Sequence, residues 1–361
     1  MSNGFLSATL LRRQHAGRLR PVLSNLAGLA FGITVSSAIL IAAGVPADAL
    51  IDEFLVATFL TSDGLAQTVT AAGPLILVGL ASAIAMRIRF WNIGVEGQMW
   101  AGAIAATFVA IHQVGPEATR LPLGLVLAFA GGALWIWPML VMKVRFGINE
   151  VITTLLSGNL AFLLVQHLLF GVWRDPASSF PISIEFPPAS QFAMLGWGQV
   201  HTGIILCLAV AVVAWLLMEF STLGYFATAI GFSRKVAAET GLPVRRITTA
   251  LVLASGGLAG LAGGLVLSGT QHRLSQTLSG GYLFSAIVAA YLARSNPLGV
   301  VVTAVALAAV YTASDVLKVF YSVSEAVIVL VQGVVLMSIL VAQFFTQFSI
   351  HLPDRPKQRG R

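Results

Sequence analysis

Apolar and polar positions alternate on a long period along this chain. Ten mostly apolar stretches are separated by short polar connections rich in arginine. They run approximately over 22–45, 67–87, 94–114, 121–142, 151–172, 199–220, 247–269, 280–294, 297–317 and 325–347. About 20 apolar residues in a helix span the hydrocarbon layer of a bilayer. The pattern therefore predicts an all-α polytopic membrane helix bundle of about 10 transmembrane helices. The eighth stretch is short, which fits a re-entrant or broken segment as well as a crossing. Pro74, Pro138 and Pro297 fall in or beside stretches, where a helix break is tolerated only against protein or a watery cavity. The first stretch, from Val22, is longer than the roughly 7–15 residues of a signal-peptide core and is expected to be retained.

Composition points the same way. Of 361 residues, 57% are hydrophobic and 10% charged, whereas a soluble domain carries about 25% charged residues. So little polar surface does not cover a globule in water. The 35 glycines suit close helix packing in lipid. The single cysteine, Cys207, excludes a disulfide framework and reads as a small packing residue.

The net charge of +7 is informative through its placement. One set of connections holds Arg12, Arg13, Arg18, Arg20, Arg87, Arg89, Lys143, Arg145, Arg234, Lys235, Arg245, Arg246, Arg294, Arg355, Lys357, Arg359 and Arg361, or 17 of the 21 basic residues. The other set holds Arg120, Arg174, Arg273 and Lys318, while acidic residues, Asp315 among them, lean to that side. The positive-inside rule then places both termini and the 221–246 connection in the cytoplasm. Residues 1–21 and 348–361 read as cytoplasmic basic tails around a membrane domain at 22–347. Basic residues spread over six loops as topology signals exclude nucleic-acid binding. The longest outside connection, about 173–198, contains Pro176, Pro181, Pro187 and Pro188. It is not helical through most of its length, and reads as an external docking surface or gate, or equally as a connector.

Polar residues inside such a chain are costly and mark candidate sites. Asn92, Glu96 and Gln98 lie within seven residues of one another, beside Gly94 and Gly97. They line a solute path, or else Asn92 caps the next helix and Glu96 favours its dipole. Asn149 and Glu150 open the fifth span with the same two readings. Asn159 and Gln166, seven apart, share a helical face that suits a pathway, and His167 beside them reads as a packing residue. In the 221–246 connection, Tyr225 to Thr240 has helical spacing, with Gly224 and Gly241 as start and stop. A short cytoplasmic helix there rests on lipid headgroups or docks into a motor subunit. Bulk at Gly231 or charge at Ala237 is expected to uncouple transport while leaving the bundle folded.

Several strings carry a family resemblance. They are Pro74-Leu75-Ile76-Leu77-Val78-Gly79-Leu80, Asn92-Ile93-Gly94-Val95-Glu96-Gly97-Gln98, Asn149-Glu150-Val151-Ile152 and Asn296-Pro297-Leu298-Gly299, with Ala229-Ile230-Gly231, Ala237-Ala238-Glu239-Thr240-Gly241 and the run Ser255 to Gly263. On these the chain resembles permease subunits of ATP-binding-cassette (ABC) importers of the branched-chain amino acid/simple-sugar superfamily, in its nucleoside/simple-sugar branch. The resemblance implies a multi-pass subunit of a bacterial inner membrane that forms the path for a nucleoside or related heterocycle, with simple sugars and other small solutes as alternatives. It implies no enzyme and no cofactor in this chain, ATP and Mg²⁺ being bound by cytosolic ATP-binding subunits. The chain has no Walker-type phosphate loop. A second permease subunit (copy or paralogue) and an external substrate-binding protein or lipoprotein are the other implied partners. Coupling to the ATPase falls to Gly224, Ala227, Gly231, Ala237, Ala238, Glu239 and Gly241. Gly158-Asn159 stands where relatives carry Asn-Tyr, and Leu283-Phe284-Ser285 after Gly281-Tyr282 where they carry Gly-Phe-Asp, which makes Tyr282 and Ser285 candidate path residues. An ion-coupled secondary transporter is the alternative class, and no intramembrane carboxylate–base pair favours it.

Overall fold

The computed structural model describes residues 9–12, 19–278 and 282–351. Among these the backbone is helical almost throughout. The helices are α1 Leu19–Ala42, α2 Ala47–Ile51, α3 Ser62–Arg87, α4 Val95–Ile111, α5 Glu117–Phe146, α6 Glu150–Phe170, α7 Gly203–Phe220, α8 Thr222–Phe232, α9 Arg234–Glu239, α10 Val244–Val266, α11 Tyr282–Leu292, α12 Pro297–Tyr321 and α13 Glu325–Gln347. Wide π-turns run over Asp52–Leu60 and Leu267–Gln271, the latter continuing α10. Among the described residues the strands are one antiparallel pair, β1 Thr9–Arg12 with β2 Phe348–His351. These strands fall inside the segments read as basic tails and join them by backbone hydrogen bonds.

Among the described residues seven helices are long and apolar enough to cross a membrane: α3, α5, α6, α7, α10 with its π-turn, and the apolar parts of α12 and α13. The apolar Leu26–Ala42 of α1 and the 17 residues of α4 are shorter. Among the described residues the eighth predicted stretch holds the 11 residues of α11. At ~1.5 Å per residue that is about 16 Å, half the ~30 Å hydrocarbon layer.

Contacts divide the chain into two compact units, Met1–Leu50 with Leu317–Arg361, and Ile51–Val316. In the first, α1 lies along α13. Gly28 faces Ser338 and Ala342, and Ser24 Oγ donates to the Ala342 carbonyl at 2.7 Å. Small residues thus bring the two backbones together, as packing in lipid requires.

In the second unit α3 and α10 are the core. Buried positions make up 78% of an apolar 18-residue stretch of α3 and 83% of one in α10, against 28% in α5, 22% in α6 and 28% in α7. The latter three keep leucine, valine and phenylalanine exposed, as lipid-facing helices do. The α10 run Ser255 to Gly264 packs on α4 and α5. A Cβ on Gly132 would meet the Gly256 carbonyl and the Gly260 backbone, and one on Gly102 would meet Gly260. No side chain fits between these backbones.

Local signals set the ends. Thr61 caps α3 by accepting from Gly64 N–H at 3.0 Å. Asn149 caps α6, accepting from Val151 N–H at 2.9 Å. Gly147, at φ +67°, ends α5 in the left-handed conformation that glycine tolerates best.

Candidate functional site

Two of the core irregularities meet at one polar cavity of about 270 Å³ in the second unit. Helix α3 contributes Gln67, Thr70, Ala71 and Pro74, and α10 with its π-turn contributes Leu265, Val266 and Thr270. Gln199 and His201 enter from the segment before α7, Tyr282 from α11, and Thr312 and Asp315 from α12. Pro74 has no N–H to give the Thr70 carbonyl one turn earlier, and the π-turn widens α10 beside it. Irregular backbone within a membrane is tolerated where it lines a cavity. The lining holds one carboxylate and no lysine or arginine.

The walls are braced. Ser285 Oγ and Tyr311 Oη share a 2.6 Å hydrogen bond, and Tyr311 stacks on Tyr282 with ring centroids 6.5 Å apart. His201 is buried, stacks on Phe192 at 5.3 Å and accepts from Gly203 N–H at Nδ1 over 3.2 Å. Burial holds its pKa below the usual histidine range, and nearby His272 pushes the same way.

The proline-rich connection is an ordered cover laced to the segment after α10. Phe192 N–H donates to the Ser268 carbonyl at 2.9 Å, Phe186 N–H to His272 at 2.7 Å and Ser183 N–H to Leu274 at 2.9 Å. Arg273 pairs with Glu185 at 3.1 Å, and Trp197 Nε1 donates to Ser62 Oγ at 2.9 Å, at the start of α3.

A second cavity, about 290 Å³, lies between α4 and α6. It brings together Glu96, Asn159 and Gln276, with Trp100 and Phe162 as apolar walls.

The sequence-predicted residues distribute as follows. Tyr282 lines the first cavity and Ser285 braces it; Glu96 and Asn159 line the second. Asn92 and Gln98 line neither. They form a buried reciprocal amide pair, Asn92 Nδ2 to Gln98 Oε1 at 2.8 Å and Gln98 Nε2 to Asn92 Oδ1 at 2.7 Å. Asn92 Nδ2 also donates to Ser255 Oγ, which in turn donates to the Ala81 carbonyl. The pair ties α3, α4 and α10 together. The expected Asn92 cap is corrected: Gly94 is the N-cap of α4, and Asn92 Oδ1 accepts from Gly94 N–H at 3.2 Å. Glu150 is buried and paired with Lys143 at 2.6 Å across the α5–α6 turn. Exposed Asn149 is the α6 cap, and half-buried Gln166 borders neither cavity.

Gln67, Thr70, Gln199, His201, Thr270, Thr312 and Asp315 were not singled out from sequence. Asp315, read as near an outside loop, lies inside α12. An acidic residue within an apolar helix was the available signal.

The single helix expected over Tyr225 to Thr240 is two. Ser233 ends α8 and caps α9, accepting from Val236 N–H at 3.4 Å. Gly224 lies inside α8 against the Met218 backbone, the start being Ser221, which accepts from Leu223 N–H. Gly241, at φ +81°, follows the end of α9 as expected. Ala227, Gly231 and Ala237 are buried, while Ala238, Glu239 and Gly241 are exposed. A Cβ on Gly231 would meet the Arg87 carbonyl, so bulk there disturbs the fold itself.

A family model described as branched-chain amino acid transport system / permease component matches residues 64–340. A glucose ABC transporter permease protein, TsgB13 of Haloferax volcanii, is 30% identical over 342 residues, 91% of this chain and 89% of that protein. The guanosine ABC transporter permease protein NupP of Bacillus subtilis is 33% identical over 244 residues, 66% of this chain and 70% of that one. The nucleoside ABC transporter permease protein NupB of Lactococcus lactis is 22% identical over 306 residues, covering 82% and 84%.

Proposed function

Because the chain belongs to the branched-chain amino acid transport system permease family, and is an ABC importer permease, we propose that it forms the membrane path for a neutral, hydroxylated ring solute, a nucleoside or a sugar. The observation that carries this reading is the lining of the 270 Å³ cavity. Hydroxyls, amides and one carboxylate suit a polyhydroxy ring, which offers many donors and acceptors but no charge. A free amino acid would bring an ammonium and a carboxylate, and the lining has no cation to meet the carboxylate. The volume is near the ~300 Å³ lower end of small-molecule sites. The relatives are named for glucose, guanosine and nucleosides.

In this reading the basic end of the helices is cytoplasmic, the chain crosses a bacterial inner membrane about ten times, and both termini lie inside. A second permease subunit completes the path, and an external binding protein delivers the solute to the proline-rich cover. Cytosolic ATP-binding subunits, which hold ATP and Mg²⁺, grip α8 and α9. Closure of those subunits on ATP moves the gripped helices, and the bundle rocks between outward- and inward-open states. The chain itself carries no catalytic role and no cofactor.

Uptake by cells carrying the complete transporter tests the cavity. Thr270→Val and Gln199→Leu remove hydrogen-bonding groups while keeping side-chain bulk. Each is expected to lower uptake of labelled guanosine or glucose about tenfold, the ~1.4 kcal/mol scale of a lost hydrogen bond. Wild-type uptake in both variants refutes the cavity as the path.

A further inference from the structure

A larger cavity in the second unit, about 560 Å³, is at the other end of the helices from the polar one. It lies where α3 ends, α8 passes and α11 turns into α12. Arg87, Arg89 and Arg294 line it, with Glu219 as the one carboxylate. Glu219 is taken by Arg87 at 2.8 Å, and Arg87 Nε also donates to Thr228 Oγ1 at 3.1 Å. Among the described residues Arg89 and Arg294 have no acidic partner. Arg89 and Arg294, both exposed, thus border the cavity without counter-charge.

The backbone adds an independent observation. Among the described residues six non-glycine residues have left-handed φ, and three of them, Arg89 at 55°, Arg294 at 51° and Ser295 at 58°, line this cavity. Arg89 follows the end of α3 and Arg294 the end of α11, positions where glycine is the ordinary left-handed residue. A side chain there carries a steric cost that glycine avoids. Charge at a membrane edge explains an arginine somewhere in these turns; it does not explain arginine at the strained position of both. Asn296 adds a donor, since its Oδ1 accepts from Leu298 and Gly299 N–H at 3.0 and 3.2 Å and its amide nitrogen is left over.

We propose that this cavity binds a phosphate group, held by Arg89 and Arg294. Guanidinium forks match phosphate oxygens in geometry and charge, and basic pockets at this depth suit lipid headgroups. The cavity is also walled by Gly231 and Phe232 of α8, so a bound phosphate braces the helix that the transport reading assigns to coupling. The binding does not depend on that reading or on the solute.

The full-length chain, purified and stripped of lipid, tests the proposal by thermal unfolding. It is titrated with phosphatidylglycerol, phosphatidylcholine or inorganic phosphate. Phosphatidylglycerol is expected to raise the midpoint where phosphatidylcholine does not; a comparable rise with inorganic phosphate assigns the site to the free anion instead of the headgroup. R89Q/R294Q removes the charge alone and is expected to weaken the response about tenfold or more. R89G/R294G also relieves the strained turns, so its lipid-free midpoint is expected to match or exceed wild type while the response is lost. No preference for phosphatidylglycerol together with no response to inorganic phosphate overturns the proposal. So does a wild-type response in either double variant.

Discussion

Asn92 and Gln98 bury two primary amides by turning them on each other. Removing one partner strands the other amide, at about 1–3 kcal/mol, whereas removing both strands neither amide. Gly94 N–H and Ser255 Oγ lose Asn92 equally in the single Asn92 variant and the double. Asn92→Leu and Gln98→Leu are therefore each expected to lower the unfolding midpoint. The double substitution should cost clearly less than their sum, which a double-mutant cycle reads directly. Additive losses sink the pairing. His201 gives a pH signature. Its folded pKa lies below the unfolded value of ~6.5 because burial disfavours the imidazolium. The unfolded chain then binds more protons, so this contribution is complete above pH ~6.5 and is lost as pH falls through the folded pKa. His201→Asn keeps an acceptor for Gly203 N–H without titrating. It is expected to flatten the acid side of the midpoint-versus-pH curve, and an unchanged slope contradicts the assignment. At this scale sequence identified costly polar residues but not their company. Asn92 and Glu96 look alike in the string, yet one is sealed among α3, α4 and α10 and the other opens on a cavity.

Among the elements, the α8–α9 segment shows what periodicity leaves out. Small and apolar residues continue in helical register through Ser233, so the spacing reads as one helix. What breaks it is capping: Ser233 takes an extended conformation at φ −155° and starts α9 with its own hydroxyl, a preference that competes with helix continuation. Ser233→Ala is expected to cost about 1 kcal/mol of α9 stability. The expected readout is reduced uptake at an unchanged global unfolding midpoint; a lowered midpoint with normal uptake makes the break structural only. Gly231→Leu should behave oppositely and destabilise the chain, because its side chain meets the Arg87 carbonyl. Helix α11 was legible as short, but the cover from 173 to 198 was not legible as ordered. Its backbone bonds run to residues 268–274, a pairing that no local signal in either segment announces.

Over the whole molecule, hydrophobic periodicity reaches the correct class, because the energetic demand of lipid is written in every span. The cavity is a different matter. Its lining comes from positions 67 to 315, five segments brought together by tertiary packing. Only Pro74, which lacks an N–H inside α3, and the carboxylate of Asp315 stand out from their own spans. The glycine run of α10 was visible as a string, and its role follows once α4 and α5 are seen resting on it.

The importer assignment is tested most directly by solute accumulation in sealed proteoliposomes. These hold this chain with its ATP-binding, second permease and binding-protein partners, and labelled guanosine or glucose is supplied on the binding-protein side. Accumulation should require ATP and Mg²⁺ on the other side and stop when the ATP-binding subunit is omitted. Accumulation by this chain alone, driven by an imposed ion gradient without ATP, would contradict it.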